Sequence, residues 1–157
     1  MNIYLIYTII INILISMVFN PTNIMLYNVD DMYYSITLFY IAMLMTTNII
    51  WGHQIVRYLT YNKFSIQLFL IGITLSVITI YLSRQQMFVD DKNYLKRMIS
   101  HHSVALQTSS KLLEKLESKG IVTEKHKKIY EFAKNIFKSQ TKELNDMKIL
   151  LKEISAY

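Results

Sequence analysis

Residues 64–82 read FSIQLFLIGITLSVITIYL, nineteen positions with no charged side chain. About 20 helical residues cross a bilayer core of roughly 30 Å. The run therefore predicts a transmembrane helix, and working outward from it organises the chain. Upstream, IYLIYTIIINILISMVF (3–19) and YYSITLFYIAMLMTTNIIW (33–51) are also uncharged. Tyr33, Tyr34, Trp51, Tyr58, Tyr61 and Tyr81 fall near the ends of the second and third runs, where amphipathic rings favour the membrane interface. No run carries the charged stripe that a soluble bundle needs. Residues 1–83 hold only Asp30, Asp31, Arg57 and Lys63 as formal charges, whereas 84–157 hold the remaining 15 Lys/Arg and 9 Asp/Glu. The reading is all-α: a membrane domain over 1–83 with three transmembrane helices (about 3–19, 33–51 and 64–82), then a soluble helical hairpin over 84–157.

The first run lacks a basic leader and a small-x-small cleavage pattern, so it reads as a retained anchor. The 20–32 connection has two aspartates and no Lys or Arg, while 52–63 has Arg57 and Lys63. The positive-inside bias then puts the second connection in the cytoplasm and the C-terminal domain outside it. Arg84, Lys92, Lys96 and Arg97 pull the other way, but charge governs long translocated segments weakly. Within the membrane, Gly72 and Ser76 form a small-xxx-small pair suited to close helix packing. Met43 and Met45 read as apolar filler rather than a metal step. No intramembrane carboxylate or lysine marks an ion path, which argues against a transporter.

The net charge of +6 arises wholly after residue 83. Its lysines alternate with glutamates as on a solvated helix face, with no arginine cluster or aromatic platform, so nucleic acid is not the expected partner; membrane lipid is. The absence of cysteine excludes disulfides and thiolate metal sites. No Ser/His/Asp pattern or Glu-x-x-His motif is present, and an enzyme is not expected.

After the third run, Asp90 or Asp91 can cap a helix whose apolar positions recur through Tyr94, Leu95, Met98, Ile99, His102, Ala105, Leu106, Ser109, Leu112, Leu113 and Leu116. Gly120 ends it. Thr123 can cap a second helix with Ile129, Phe132, Ala133, Ile136, Phe137, Gln140, Leu144, Met147, Leu150, Leu151 and Ile154 on its inner face. The two make an antiparallel hairpin with helices of about 25–30 residues. Facing residues in such a pair have position numbers of constant sum. A turn centred between 120 and 121 sets that sum at 241, which places His101 opposite Gln140, Met98 opposite Glu143, and Tyr94 opposite Met147. Met98, His101 and His102 share one turn by their i, i+3, i+4 spacing. Imidazole, thioether and carboxylate at one level suit a transition metal, with methionine sulfur favouring Cu(I). A self-satisfied layer of His–Gln–Glu hydrogen bonds fits the same residues. His53, in a loop, and His126, in an outward run, read as surface residues.

The stretches DKNYLKRMISHHSVA (91–105) and AKNIFKSQTKELNDM (133–147) resemble the family known as domain of unknown function 305. Its pattern joins Asp, an aromatic, Met-Ile-Pro-His-His and Ala on one helix to Ala, Ile, Gln, Glu and Met on the next. The resemblance covers about 91–154 and none of the membrane half. It implies a ferritin-like helical bundle, copper binding in some members, and a site comprising His101, His102, Met98, Gln140, Glu143 and Met147. Ser100 stands where the family has proline, and no methionine follows in the Gln107–Thr108 region. Members often carry the hairpin twice; this chain has it once, which implies a homodimer. The expected function is a membrane protein presenting an extracytoplasmic copper-binding module. The alternative is a structural or assembly protein whose hairpin dimerises without metal.

Overall fold

A computed structural model describes residues 3–120 and 123–156, with side chains described from Ile6 onward. Among these residues the chain is all-helical. Five long helices are α1 (Ile3–Val18), α3 (Ile36–Tyr61), α4 (Ile66–Arg84), α5 (Asp91–Lys119) and α6 (Glu124–Ser155). A single turn, α2 (Pro21–Ile24), and a 3-10 turn at Val29–Asp31 lie between α1 and α3. The chain divides into two compact units.

The first unit comprises the residues up to Asn20 together with Tyr34–Val89. Its segments Ile6–Ile24, Ile36–Tyr61 and Ile66–Arg84 mark three stretches long and apolar enough to cross a membrane. The first of these runs past the end of α1 into α2. Helix α3 packs against both α1 and α4. At the α3–α4 contact, a Cβ on Gly72 would lie 2.9 Å from both Cβ and N of Trp51, so only glycine permits this approach. One turn on, Ser76 Oγ donates to Gly72 O at 2.9 Å and lies 2.9 Å from Thr47 Oγ1 and 3.1 Å from Asn48 Oδ1. The small pair thus brings α3 and α4 close enough to share polar groups.

Helix α3 corrects one expectation. Residues 52–61 are helical rather than a loop, and the connection to α4 shrinks to 62–65. The reason is local: GHQIVRYLTY contains no proline, and the first effective stop is Asn62, which takes a left-handed conformation (φ 53°) and returns its N–H to the Arg57 and Tyr58 carbonyls. His53 therefore sits on a helix, exposed.

The second unit joins Pro21–Tyr33 to the residues from Asp90 onward. Asp90 caps α5, accepting from Asn93 N at 2.7 Å, and Thr123 caps α6, accepting from His126 N at 3.2 Å. Gly120 ends α5 with φ 74°. The centre of the connecting turn, at 121–122, lies outside the described residues. Leu95, Ile99 and Leu106 of α5 form a buried cluster with Leu144 and Leu151 of α6, flanked by Tyr33, Phe137 and Met147. At about 25 cal/mol per Å² of apolar surface, such burial is the main term holding two otherwise solvated helices together.

The 21–33 segment is the unexpected member of this unit. Asp31 is only 2% exposed. Its Oδ2 accepts from Ser103 Oγ at 2.6 Å, its carbonyl accepts from Ser100 Oγ at 2.8 Å, and Lys148 Nζ pairs with Oδ1. Ser103 Oγ also accepts from Tyr27 N at 3.0 Å, and Ser100 Oγ from Tyr33 N at 3.4 Å. The Tyr27 ring meets Phe137 edge-on at 5.7 Å. A segment that sequence alone presents as a plain connection is thus fastened to both α5 and α6.

Candidate functional site

Around α5 the polar interruption predicted at 98–102 divides in two. His102 is buried, and its Nδ1 lies 3.4 Å from Glu143 Oε2 on α6. The contact is outside hydrogen-bond geometry, and Nδ1 is a buried nitrogen with no hydrogen-bond partner among the described residues. Burial is the largest influence on this imidazole and pushes its pKa below the ordinary 6.5; the Glu143 carboxylate opposes that, and neighbouring His101 adds to it. At neutral pH the ring is therefore uncharged, and the Glu143 contact is not a full ion pair. A neutral imidazole is the form that ligates metals.

His102 and Glu143 line an open groove of about 270 Å³ with Tyr94, Met98, Asp146, Met147 and Leu150. Four of the six sequence-derived candidates, Met98, His102, Glu143 and Met147, thus share one recess. The other two stand beside it. His101 is exposed, its ring centroid 5.9 Å from that of His102. Gln140 is half-buried and does not line the groove. The pairing also differs from the symmetric-turn expectation. His102 rather than Met98 faces Glu143, so facing positions sum to 245 and not 241. The offset of four is one helical turn, and it carries Met98 to the level of Met147.

Does this recess fit a metal? Among the described residues no three His, Asp or Glu side chains come together as a ligand cluster. A hard, all-oxygen or multi-imidazole site is therefore not built by one copy. What is present is a single neutral, unpartnered imidazole, one carboxylate and two thioethers. That set fits a soft ion such as Cu(I), for which sulfur is a favourable ligand. His102, Met98 and Met147 would hold it, with the Glu143 carboxylate beside them in the same groove.

Several contributors were not predicted. Asp146, three residues after Glu143, adds a second carboxylate to the groove wall, and its helical spacing was readable. Asp31, Ser100, Ser103 and Lys148 form the anchor on the other flank of α5 and α6. Ser100 stands where the resemblance expects proline, and its hydroxyl donates to the Asp31 carbonyl.

Comparison with known proteins bears on this unit. Residues 81–151 match the domain of unknown function (DUF305) family. The DUF305 match covers α5 and most of α6, and hence every residue of the groove. A protein of Acanthamoeba polyphaga mimivirus, uncharacterized protein L153, is 37% identical over 84 residues, which is 54% of this chain. The chain covers 50% of that relative. No solved structure matches.

Proposed function

We propose that this chain is a three-span membrane protein that presents a copper-binding helical hairpin outside the cytoplasm. The observation that carries the metal reading is His102: a buried, neutral imidazole whose Nδ1 lacks a hydrogen-bond partner, beside Glu143 and in a groove walled by Met98 and Met147. A buried polar atom left unpaired costs about 1–3 kcal/mol, which a bound ion would recover. The membrane reading rests on the three apolar stretches and on the outward apolar side chains of α3 and α4, such as Leu59 (77% exposed) and Val77 (60%). Three crossings put the connection after α1 and everything after Arg84 on one side of the bilayer. The packing of Pro21–Tyr33 on α5 and α6 supports that arrangement. The Asp30–Asp31 pair in that connection, against Arg57 and Lys63 near the other, favours the outside for the hairpin.

Titration of the full chain in detergent micelles with Cu(I) tests the reading. Saturable binding is expected, with clear weakening in His102→Ala and in Met98→Leu/Met147→Leu. Equal binding by all three proteins would reject it. The second reading, an assembly protein without metal, is favoured by the proximity of Glu143 to His102, which a small rotation converts to a hydrogen bond. It predicts that His102→Ala lowers thermal stability equally with and without copper.

A further inference from the structure

Between α4 and α5 the chain reads SRQQMFVDD (83–91), with an apolar triplet set between Arg84 and the Asp90–Asp91 pair. Neither the helical pattern nor the His102 groove uses that triplet. Two residues here hold a positive φ without being glycine, Gln86 at 49° and Phe88 at 61°. The helix end explains the first. Met87 N–H donates to the Leu82 carbonyl at 3.0 Å and Gln86 N–H to the Ser83 carbonyl at 3.2 Å, the two bonds that close a helix around one left-handed residue. Phe88 closes no helix. Val89 N–H donates to the Gln86 carbonyl at 3.1 Å, so Phe88 is the third residue of a four-residue turn, where a positive φ calls for Gly or Asn. A bulky residue in that conformation is strained. Its ring is also 74% exposed, with Met87 beside it at 37%. At that exposure, packing within the chain offsets neither the strain nor the hydration of the ring.

We propose that Met87 and Phe88 form an apolar finger that seats in the headgroup–acyl boundary of the lipid bilayer and fixes the depth of the third span. This rests on the membrane reading above but not on copper. Three observations select lipid. First, the turn is held in place. Tyr40 Oη donates to the Met87 carbonyl at 2.6 Å, Gln86 Nε2 to the Ser83 carbonyl at 2.6 Å, and Thr37 Oγ1 to Gln86 Oε1 at 3.4 Å. A fixed turn presents the ring without losing further chain entropy on insertion. Second, those bonds set its level. Thr37 and Tyr40 lie in the first two turns of α3, so the finger stands beside the start of the apolar stretch Ile36–Tyr61 and the end of Ile66–Arg84. Tyr34 and Tyr81 are exposed at the same end, and a belt of rings there favours the membrane interface. Third, charge bounds the depth. Arg84 on one side of the finger and Asp90 and Asp91 on the other are all exposed, and none can follow the ring into hydrocarbon. The ring therefore stops at the boundary, where burying its apolar surface offsets the strain of holding it out.

Trp51 is the sole tryptophan, so the fluorophore can be moved. On a Trp51→Phe background, Phe88→Trp and, separately, Val77→Trp are made in the full chain and reconstituted in phosphatidylcholine vesicles. Val77 is exposed near the middle of α4. Phe88→Trp should be quenched more strongly by lipid brominated near the headgroup end of its acyl chains than by lipid brominated near the chain ends. Acrylamide should quench it several-fold less than it quenches tryptophan amide in buffer. Val77→Trp should show the opposite lipid preference. Acrylamide quenching of Phe88→Trp equal to that of tryptophan amide overturns the finger. So does shielding from acrylamide without quenching by either lipid, which means a protein contact instead. If both lipids leave Val77→Trp unquenched, the membrane reading falls and the finger with it; quenching of Val77→Trp alone removes only the finger. Phe88→Gly supplies a second readout, because it relieves the strain and deletes the ring together. Its unfolding midpoint in vesicles should lie below that of the parent chain. A higher midpoint shows strain that lipid does not offset, and overturns the proposal.

Discussion

Removing the Asp31 carboxylate should release the 21–33 segment without unfolding α5 and α6. Asp31 is nearly inaccessible, bound to Ser103 Oγ and paired with Lys148 Nζ, whose side chain is 30% exposed. Breaking a buried pair by deleting one partner costs about 3–5 kcal/mol, because the remaining charge is stranded. In Asp31→Ala the stranded group is Lys148, which reaches water, so this part falls below that range, to about 1–2 kcal/mol. Ser103 loses its acceptor, adding about 1 kcal/mol. The Asp31 carbonyl keeps Ser100, and the apolar cluster is untouched. A local cost of about 2–3 kcal/mol follows. With 1.4 kcal/mol per decade, it corresponds to roughly 30–100-fold faster amide exchange at positions that open with the segment. Hydrogen exchange of the full chain in nanodiscs should show this at Tyr27 and Met32, whose N–H groups donate to Ser103 O and Val29 O. Amides in the middle of α6 should not change. Lys148→Ala should cost more, about 3–5 kcal/mol, since it strands a carboxylate that cannot reach water. The double variant should cost clearly less than the two singles added. Additive single effects, or less than threefold acceleration at Tyr27, would refute the anchor.

Protonation of His102 should destabilise the second unit. Its pKa is lowered on folding, so the unfolded chain binds the proton more readily, and stability contributed by the neutral ring is lost as pH falls from about 6.5 towards the folded value. Thermal melts over pH 5–8 should show that slope, and His102→Leu should flatten it. Gly72→Ala should destabilise the α3–α4 contact by about 1–3 kcal/mol through overpacking against the Trp51 backbone, read as a lower unfolding midpoint in micelles. Ser100→Ala should speed exchange at the Tyr33 amide, which donates to the hydroxyl, while leaving the α5 helix signal unchanged in circular dichroism.

What the sequence made legible was whatever is encoded within a few residues. Asp90, Thr123 and Gly120 announce the ends of α5 and α6 because caps act over three or four positions. Met98 and His102 on one face, and Glu143 and Met147 on another, follow from helical spacing. The length of α3 was hidden because hydropathy reports where a helix leaves an apolar medium, whereas helix ends follow backbone stops, and none precedes Asn62. The register was off by one turn because the linking turn is not symmetric about Gly120. The anchor left no trace at all. Asp31 and Ser103 are 72 positions apart, and a single long-range polar contact has no period. What marked Ser100 was only its departure from the DUF305 pattern; nothing in the sequence said that its hydroxyl would meet the Asp31 carbonyl.

The Asp31–Lys148 pair also sets a clock on biosynthesis. Ribosomes add about 5–20 residues per second, so Lys148 leaves the ribosome roughly 6–24 s after Asp31. Throughout that interval the aspartate has neither its cation nor the two serines, and burying it would be unfavourable. The connection between the first two apolar helices therefore stays hydrated while the third is being made. It closes only once Lys148 has been made, and any chain terminated before Lys148 leaves it open.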